Sequence, residues 1–528
     1  MVRGKNAIES YKESMGGNPL GIRDHMPRLI RGGHERMSAE DKDLLKWVGV
    51  FFRKPTPGKF MMRVRMPNGL AWSRQLRAIA DVSRRLGNCV LDITTRQQIQ
   101  LRGFTLGSVP KIWEKLRGVD LHSLQTGMDN VRNINGCALA GLTPEEAFNA
   151  SDVVLALDRL LVGAEGNPEF VDLPRKFNIV VTGCRSNCTH AESQDVALVP
   201  ARLDRTLGFN VLVGGKMGSG GFTPASPLDV FVRIDDAVEL VAELVRIYRD
   251  HGPRDARAKC RLAFLIEEWG VARLRDELQR RSRRPLSRAG GDLRTTRHSD
   301  HLGVTQQKQP GLRAVGLSVP VGRITADQLD EIVRLSEVYG HGDVRFTVGQ
   351  NVIFGCVPAS EVPGLLRESL LHDLSPAASP FQRRLVACTG TDFCNLAQID
   401  TKGYAMQVSC ALERKMGNDR EPLSIHWSGC PAGCGNHQAA DIGLRGLKTR
   451  VGDDLVDAVA VYVGGRTGPE ASVGQQVLDV IPCDENLPNV LAGIITQLDR
   501  FRQAGIDVPL EQLATRGDAT ADDRPAAP

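Results

Sequence analysis

The stretch TADQLDEIVRLSEVYG, residues 325–340, places Leu329, Ile332 and Val333 at three- and four-residue intervals, one face of a helix. Thr325 stands where an N-cap belongs. The next apolar run, VRFTV at 344–348, is rich in β-branched and aromatic residues and reads as a strand. The run VLDITT at 90–95 reads the same way. Each of these neighbourhoods predicts strand, turn, helix, strand.

The two patterns are copies. Moving residues 63–103 along by 253 lays RVRMPNGLAWSRQL on GLSVPVGRITADQL and LGNCVLDITTRQQIQLRG on YGHGDVRFTVGQNVIFGC, without a gap. Pro67 falls on Pro320, Gly69 on Gly322, Thr94 on Thr347 and Gln97 on Gln350. At a similar offset GCALAG (136–141) resembles FCNLAQ (393–398), which puts Cys137 on Cys394. GCRSNCTHAESQDVAL (183–198) lies over GCPAGCGNHQAADIGL (429–444), and LVGGKMG (212–218) matches YVGGRTG (462–468). The chain is an internal duplication split by RRSRRPLSRAGGDLRTTRHSD, a polar segment that reads as a linker.

Composition is that of an ordinary globular protein, 41% apolar and 24% charged over 528 residues, so several domains are expected. The net charge of +5 suits an anionic substrate or an acidic partner and is too small to argue for nucleic acid. No apolar run is long enough for a membrane span, and the first twenty residues lack a signal-peptide core, so a cytoplasmic protein is expected. There its twelve cysteines are reduced, and clustered ones are metal or redox ligands.

One cluster stands out: Cys388, Cys394, Cys430 and Cys434, spaced C-x5-C, x35, C-x3-C. Four thiolates suit a tetrahedral zinc or an iron–sulfur cluster. The five-residue gap and the surrounding glycines favour the cluster. Cys137, Cys184 and Cys188 lack a fourth member and read as buried remnants of the duplication. The basic segments MMRVRMPNG, TTRQQIQLRG, DNVRNING and LPRKFNIVV are unlike surface charge, because the second copy loses it: Arg63, Arg65 and Arg96 align with Gly316, Ser318 and Gly349. Gathered in a cleft, such cations would bind an anion and supply protons to it.

The tetrad within duplicated halves resembles the sirohaem-containing nitrite and sulfite reductases, over about residues 40 to 512. FFRKPTPGKFMMRVRMPNG, QTGMDNVRNINGCALAG and GNPEFVDLPRKFNIVV resemble the ferredoxin-dependent nitrite reductases among them. The resemblance implies an α/β (α+β) fold with pseudo-two-fold symmetry and ferredoxin-like half-domains. It implies an extension over 1–45, half-domains at 46–120 and 312–378, a sirohaem and substrate domain at 121–282, a linker at 283–311, a [4Fe–4S] domain at 379–512 and a disordered tail at 513–528. It implies a cluster on Cys388, Cys394, Cys430 and Cys434, with Cys434 bridging to sirohaem. Arg63, Arg132 and Lys176 would meet the substrate anion, and Arg96, Gln100, Arg102 and Arg175 the sirohaem carboxylates. Asn178 stands where the sulfite enzymes carry a second lysine. Nitrite has one negative charge and sulfite up to two, so this site suits nitrite. Phe51 and Phe52 agree, since no tyrosine stands there for the cross-link known in some sulfite reductases.

The implied reaction is six-electron reduction of nitrite to ammonium. Ferredoxin or flavodoxin would be the donor, since no flavin or nicotinamide domain is visible, and a monomer is expected. The rivals are assimilatory sulfite reductase, a related monooxygenase of cobalamin synthesis, and, from another class, a non-catalytic iron–sulfur carrier or a zinc-stabilised binding module.

Overall fold

The computed structural model describes residues 6–218 and 221–503, and the tail expected over 513–528 lies outside them. The described chain forms two units. The first runs through Ala377 and takes in Thr467–Glu470; the second is the remainder from Ala378.

Within the first unit the duplicated halves each build an antiparallel sheet beside a helix, and each borrows its last strand from the other. One sheet runs Val50–Phe52, Phe60–Val64, Ile99–Phe104, Val90–Ile93 and ends on Arg323–Thr325. The other runs Gly303–Gln306, Leu312–Leu317, Val352–Pro358, Asp343–Phe346 and ends on Leu70–Trp72. The two lent strands occupy equivalent places in the repeat. Helices Ser73–Leu86 and Ala326–Tyr339 pack against each other, and one apolar core contains residues of both halves, from Val64 and Leu76 to Leu317 and Leu329. The second helix starts as its sequence predicts. Thr325 Oγ accepts from the Gln328 N–H at 3.1 Å, and Gln328 returns the bond to the Thr325 N–H at 3.0 Å.

Backbone dihedrals repeat with the sequence. Asn68 (φ 58°) and Val321 (φ 48°), Gln97 (57°) and Gln350 (66°), and Gly103 (79°) and Cys356 (57°) are equivalent positions, all in the left-handed region. Two glutamines tie the halves reciprocally. Gln97 Nε2 donates to the Phe346 carbonyl at 2.8 Å and Gln350 Nε2 to the Ile93 carbonyl at 2.9 Å, and these two carbonyls are themselves equivalent in the repeat.

The rest of the first unit is a sheet of Gly291–Asp292, Val196–Leu203, Thr206–Val213 and Ser226–Arg233, with Ile179–Val181 parallel to Val196–Leu203. Its counterpart, in the second unit, runs Arg384–Ala387, Ser424–Ser428, Ile442–Val451, Asp454–Val463 and Gln475–Pro482. Asp195 accepts the Asn178 N–H at 2.8 Å, and its counterpart Asp441 accepts the Ser424 N–H at 2.8 Å.

Two polar segments are tied down. The N-terminal helix Ala7–Ser14 inserts Lys12, which is 1% exposed, and its Nζ meets Asp172 at 2.9 Å and the Leu173 carbonyl at 2.9 Å. The linker segment runs along the first unit: Leu293 N–H donates to Pro200, Thr295 N–H to Arg185, and Arg297 O accepts from Asn187. Among the described residues no helix is long and apolar enough to cross a membrane.

Candidate active site

Arg96 sits in the hairpin turn between Val90–Ile93 and Ile99–Phe104. Thr94 builds that turn: its hydroxyl accepts from the N–H groups of Arg96 and Gln98, each at 3.2 Å, and its own N–H donates to Gln98 O at 2.9 Å. Arg63 projects from Phe60–Val64, opposite Gln100 on the neighbouring strand, and its guanidinium lies 4.5 Å from the centre of the Phe51 ring. Arg132 lies on a segment that runs parallel to the one carrying Lys176, and its N–H donates to Phe177 O at 2.8 Å.

These segments converge. Arg63 Nη1 and Arg132 Nη1 donate to the same carbonyl, that of Thr126, at 3.3 and 3.1 Å. Arg132 also donates twice to Met128 O. Burial holds the Arg132 guanidinium well below its ordinary value, and the charges of Arg63, Arg96 and Arg175 push the same way. Arg96 Nε donates to Asn178 Oδ1 at 3.1 Å, so Asn178 is the neutral acceptor that positions one of the cations. Lys176 is half-buried two residues before it.

Arg65 has a different role from the one its place among the basic segments suggested. It is 1% exposed, pairs with Asp158 at 2.6 Å, and donates to the carbonyls of Val131 and Arg132. It fixes the backbone that carries Arg132. Asn133, which the sequence did not single out, does the same work: its amide donates to Met66 O at 2.7 Å and to Arg96 O at 2.8 Å, joining three segments of the site.

Of the four residues expected to face sirohaem carboxylates, Gln100 and Arg102 come together on Asp92. Arg102 donates to Asp92 and, at 2.6 Å, to Gln100 Oε1. Arg175 is oriented by Asp129, 3.8 Å away, which Arg257 also grips with two bonds of 2.6 Å. Among the described residues the buried Arg175 Nε has no hydrogen-bond partner. A buried donor in that condition fits an anionic oxygen supplied by a bound group.

The second unit holds the tetrad. Cys388 follows the strand Arg384–Ala387, its N–H donating to Trp427 O at 3.0 Å, and Cys430 and Cys434 follow Ser424–Ser428. Gly429 N–H donates to Cys388 Sγ at 3.2 Å. Burial pushes the Cys430 thiol up to about 12, and the sulfurs of Cys434, Cys394 and Cys388 push the same way. Four cysteines on short loops, with a backbone N–H on one sulfur, are a donor set that fits an iron–sulfur cluster. The glycines serve the backbone first. Gly433 has φ 67°, and a Cβ on Gly435 would stand 2.1 Å from the Trp427 carbonyl.

Strand register corrects the alignment of Cys137. Asn135 bridges Val180 and Val386 pairs with His426; Val180 and His426 are equivalent, since Ile179 pairs with Val196 as Ile425 pairs with Ile442. Two residues further along, Cys137 falls on Cys388, not on Cys394. The likeness of GCALAG to FCNLAQ misled because it lies six residues out of this register.

Comparison with known proteins agrees with this arrangement. The family described as nitrite and sulphite reductase 4Fe-4S domain matches residues 127–286 and 379–505. The nitrite/sulfite reductase ferredoxin-like half domain matches 52–119 and 305–371. The chain is 44% identical over 500 residues to a ferredoxin–nitrite reductase of Synechococcus elongatus, covering 94% of this chain and 96% of that one. It is 42% identical to a chloroplastic ferredoxin–nitrite reductase of Arabidopsis thaliana, over 88% of this chain and 80% of that one. The solved structure of Mycobacterium tuberculosis NirA protein superposes with a TM-score of 0.86 at 28% identity, covering 93% of each chain.

Proposed function

The chain belongs to the nitrite and sulphite reductase family, and we propose that within it the protein is a ferredoxin-dependent nitrite reductase of nitrate assimilation. The reaction is NO2⁻ + 8H⁺ + 6e⁻ → NH4⁺ + 2H2O, with reduced ferredoxin as donor and the enzyme acting as a cytoplasmic monomer.

Cys388, Cys394, Cys430 and Cys434 would hold the [4Fe–4S] cluster, with Cys434 shared with sirohaem, and Arg175, Arg96, Gln100 and Arg102 are the candidates for its carboxylates. Bound together, the two cofactors would supply single electrons and a reducing iron centre. The side chains do the rest. Arg63 and Arg132, fixed on one carbonyl, would hold the nitrite oxygens by charge-assisted hydrogen bonds. Lys176, on the adjoining segment, would pass protons to oxygen as water leaves. Asn178 adds no charge and keeps Arg96 in place.

What carries the reading is the buried cationic group around Arg132, which has an uncharged acceptor at Asn178 where a second lysine would suit a doubly charged anion. The experiment is an anaerobic assay with reduced ferredoxin, comparing ammonium from nitrite with sulfide from sulfite. Nitrite should give the higher kcat/KM; a preference for sulfite overturns the assignment.

A further inference from the structure

The three cysteines of the first half are not scattered. Cys137, Cys184, Cys188 and His301 are all buried, and one ligand atom from each lies within 4.8 Å of the other three. Among the described residues this is the group of histidine, cysteine and carboxylate side chains that converges on a single point. His301 Nε2 is 3.3 Å from Cys137 Sγ, and its other ring nitrogen, Nδ1, is 3.1 Å from Ser299 Oγ. A ligating imidazole is commonly fixed in this way, one nitrogen toward the metal and the other on an outer partner. His301 also has φ 58°, a conformation that a non-glycine residue keeps only where its surroundings enforce it.

We propose that Cys137, Cys184, Cys188 and His301 form a closed structural zinc site, separate from the iron–sulfur tetrad. Three soft thiolates and an imidazole are a tetrahedral zinc donor set, and four protein ligands leave no open position for chemistry. The spacing decides between one ion and a cluster. Ligands of one zinc converge on one atom, with Zn–S about 2.3 Å and Zn–N about 2.0 Å. The thiolates of a cubane each bind a different iron and stand further apart. The walls are apolar, with Ala138, Leu139, Leu142, Ala314 and Ile353 packed around the sulfurs.

The duplication explains where the site comes from. By register Cys137, Cys184 and Cys188 occupy the places of Cys388, Cys430 and Cys434, and the position of Cys394 has no cysteine. The histidine that completes the set comes from the inter-repeat segment, outside both the 127–286 and the 305–371 matches to the family. That segment is already laced to the 185–187 loop by the Thr295–Arg185 and Asn187–Arg297 hydrogen bonds. A metal at its end would staple it to the first half.

The test is metal analysis of the purified holoenzyme together with zinc K-edge X-ray absorption, which iron does not obscure. The expected result is roughly one zinc per chain with a shell of three sulfurs and one nitrogen. His301→Ala should lose most of that zinc, keep its iron, melt several degrees lower and exchange amide hydrogens faster over 293–301. Zinc below a tenth per chain in protein with its full iron overturns the proposal, and so does zinc in an oxygen and nitrogen shell. Iron beyond the complement of one cluster and one sirohaem, lost on Cys184→Ser, would mean an iron site instead. If His301→Ala does not fold, the wild-type zinc content and its absorption shell still decide.

Discussion

Under the proposed function, substrate choice turns on Asn178 and Arg132. Replacing Asn178 by lysine removes the acceptor of Arg96 Nε and adds a cation beside Arg63, Arg132 and Lys176. In a poorly hydrated site at an effective dielectric near 20, that favours the more highly charged anion by about 1–3 kcal/mol. Asn178→Lys should therefore raise the ratio of sulfite to nitrite kcat/KM roughly ten- to hundredfold; an unchanged ratio would leave Asn178 as a holder of Arg96 only. Arg132→Gln loses a charge-assisted bond to the substrate and should raise the nitrite KM about tenfold or more with iron content unchanged. Unaltered nitrite binding in that variant would remove Arg132 from the site. The candidates that the sequence singled out were those with distinctive chemistry and a duplicate to compare: the tetrad by spacing, the arginines because the second copy lost them. Asn133 and Thr126 were not legible, and Arg65 was visible only as a basic residue and not as a holder of backbone, since its bonds run to carbonyls of segments distant in sequence. His301 was hidden in a stretch with linker composition.

At the scale of elements, the repeat predicted strand, turn and helix in each half, but not the exchange of Leu70–Trp72 for Arg323–Thr325. Pairing partners that lie in opposite halves of the duplication leave no mark in local periodicity. The exchange makes the reciprocal glutamines important. Gln97→Ala strands the Phe346 and Gly136 carbonyls and should cost about 2–4 kcal/mol in denaturant unfolding. An unfolding midpoint indistinguishable from wild type would show that water replaces the glutamine. In the second unit His426 and His437 flank the cysteine loop, accompanied by the Asn436 carbonyl and the Ser428 hydroxyl. Burial, their leading influence, holds these imidazoles down to about 4 and about 3. In the unfolded chain they take a proton near pH 6.5, so below that pH the unfolded state binds more protons and stability falls, by up to about 1.4 kcal/mol per pH unit for each group. The melting temperature of the holoenzyme should drop between pH 6.5 and 5, and His437→Gln should flatten that slope. Equal slopes in both proteins would assign the acid sensitivity to other groups.

For the whole molecule, the positive balance of +5 and the proposed acidic donor imply association steered by charge. The KM for ferredoxin should rise as salt is raised from low to physiological strength, while the KM for nitrite, set in a buried site, moves less. As the proposed nitrite reductase, one chain carries nitrite through six electrons without releasing an intermediate. The most direct measurement counts ferredoxin oxidised per ammonium formed, with limiting nitrite under anaerobic conditions. Six equivalents oxidised and one ammonium formed for each nitrite consumed are expected. Release of nitric oxide or hydroxylamine at a smaller electron count would contradict this reading.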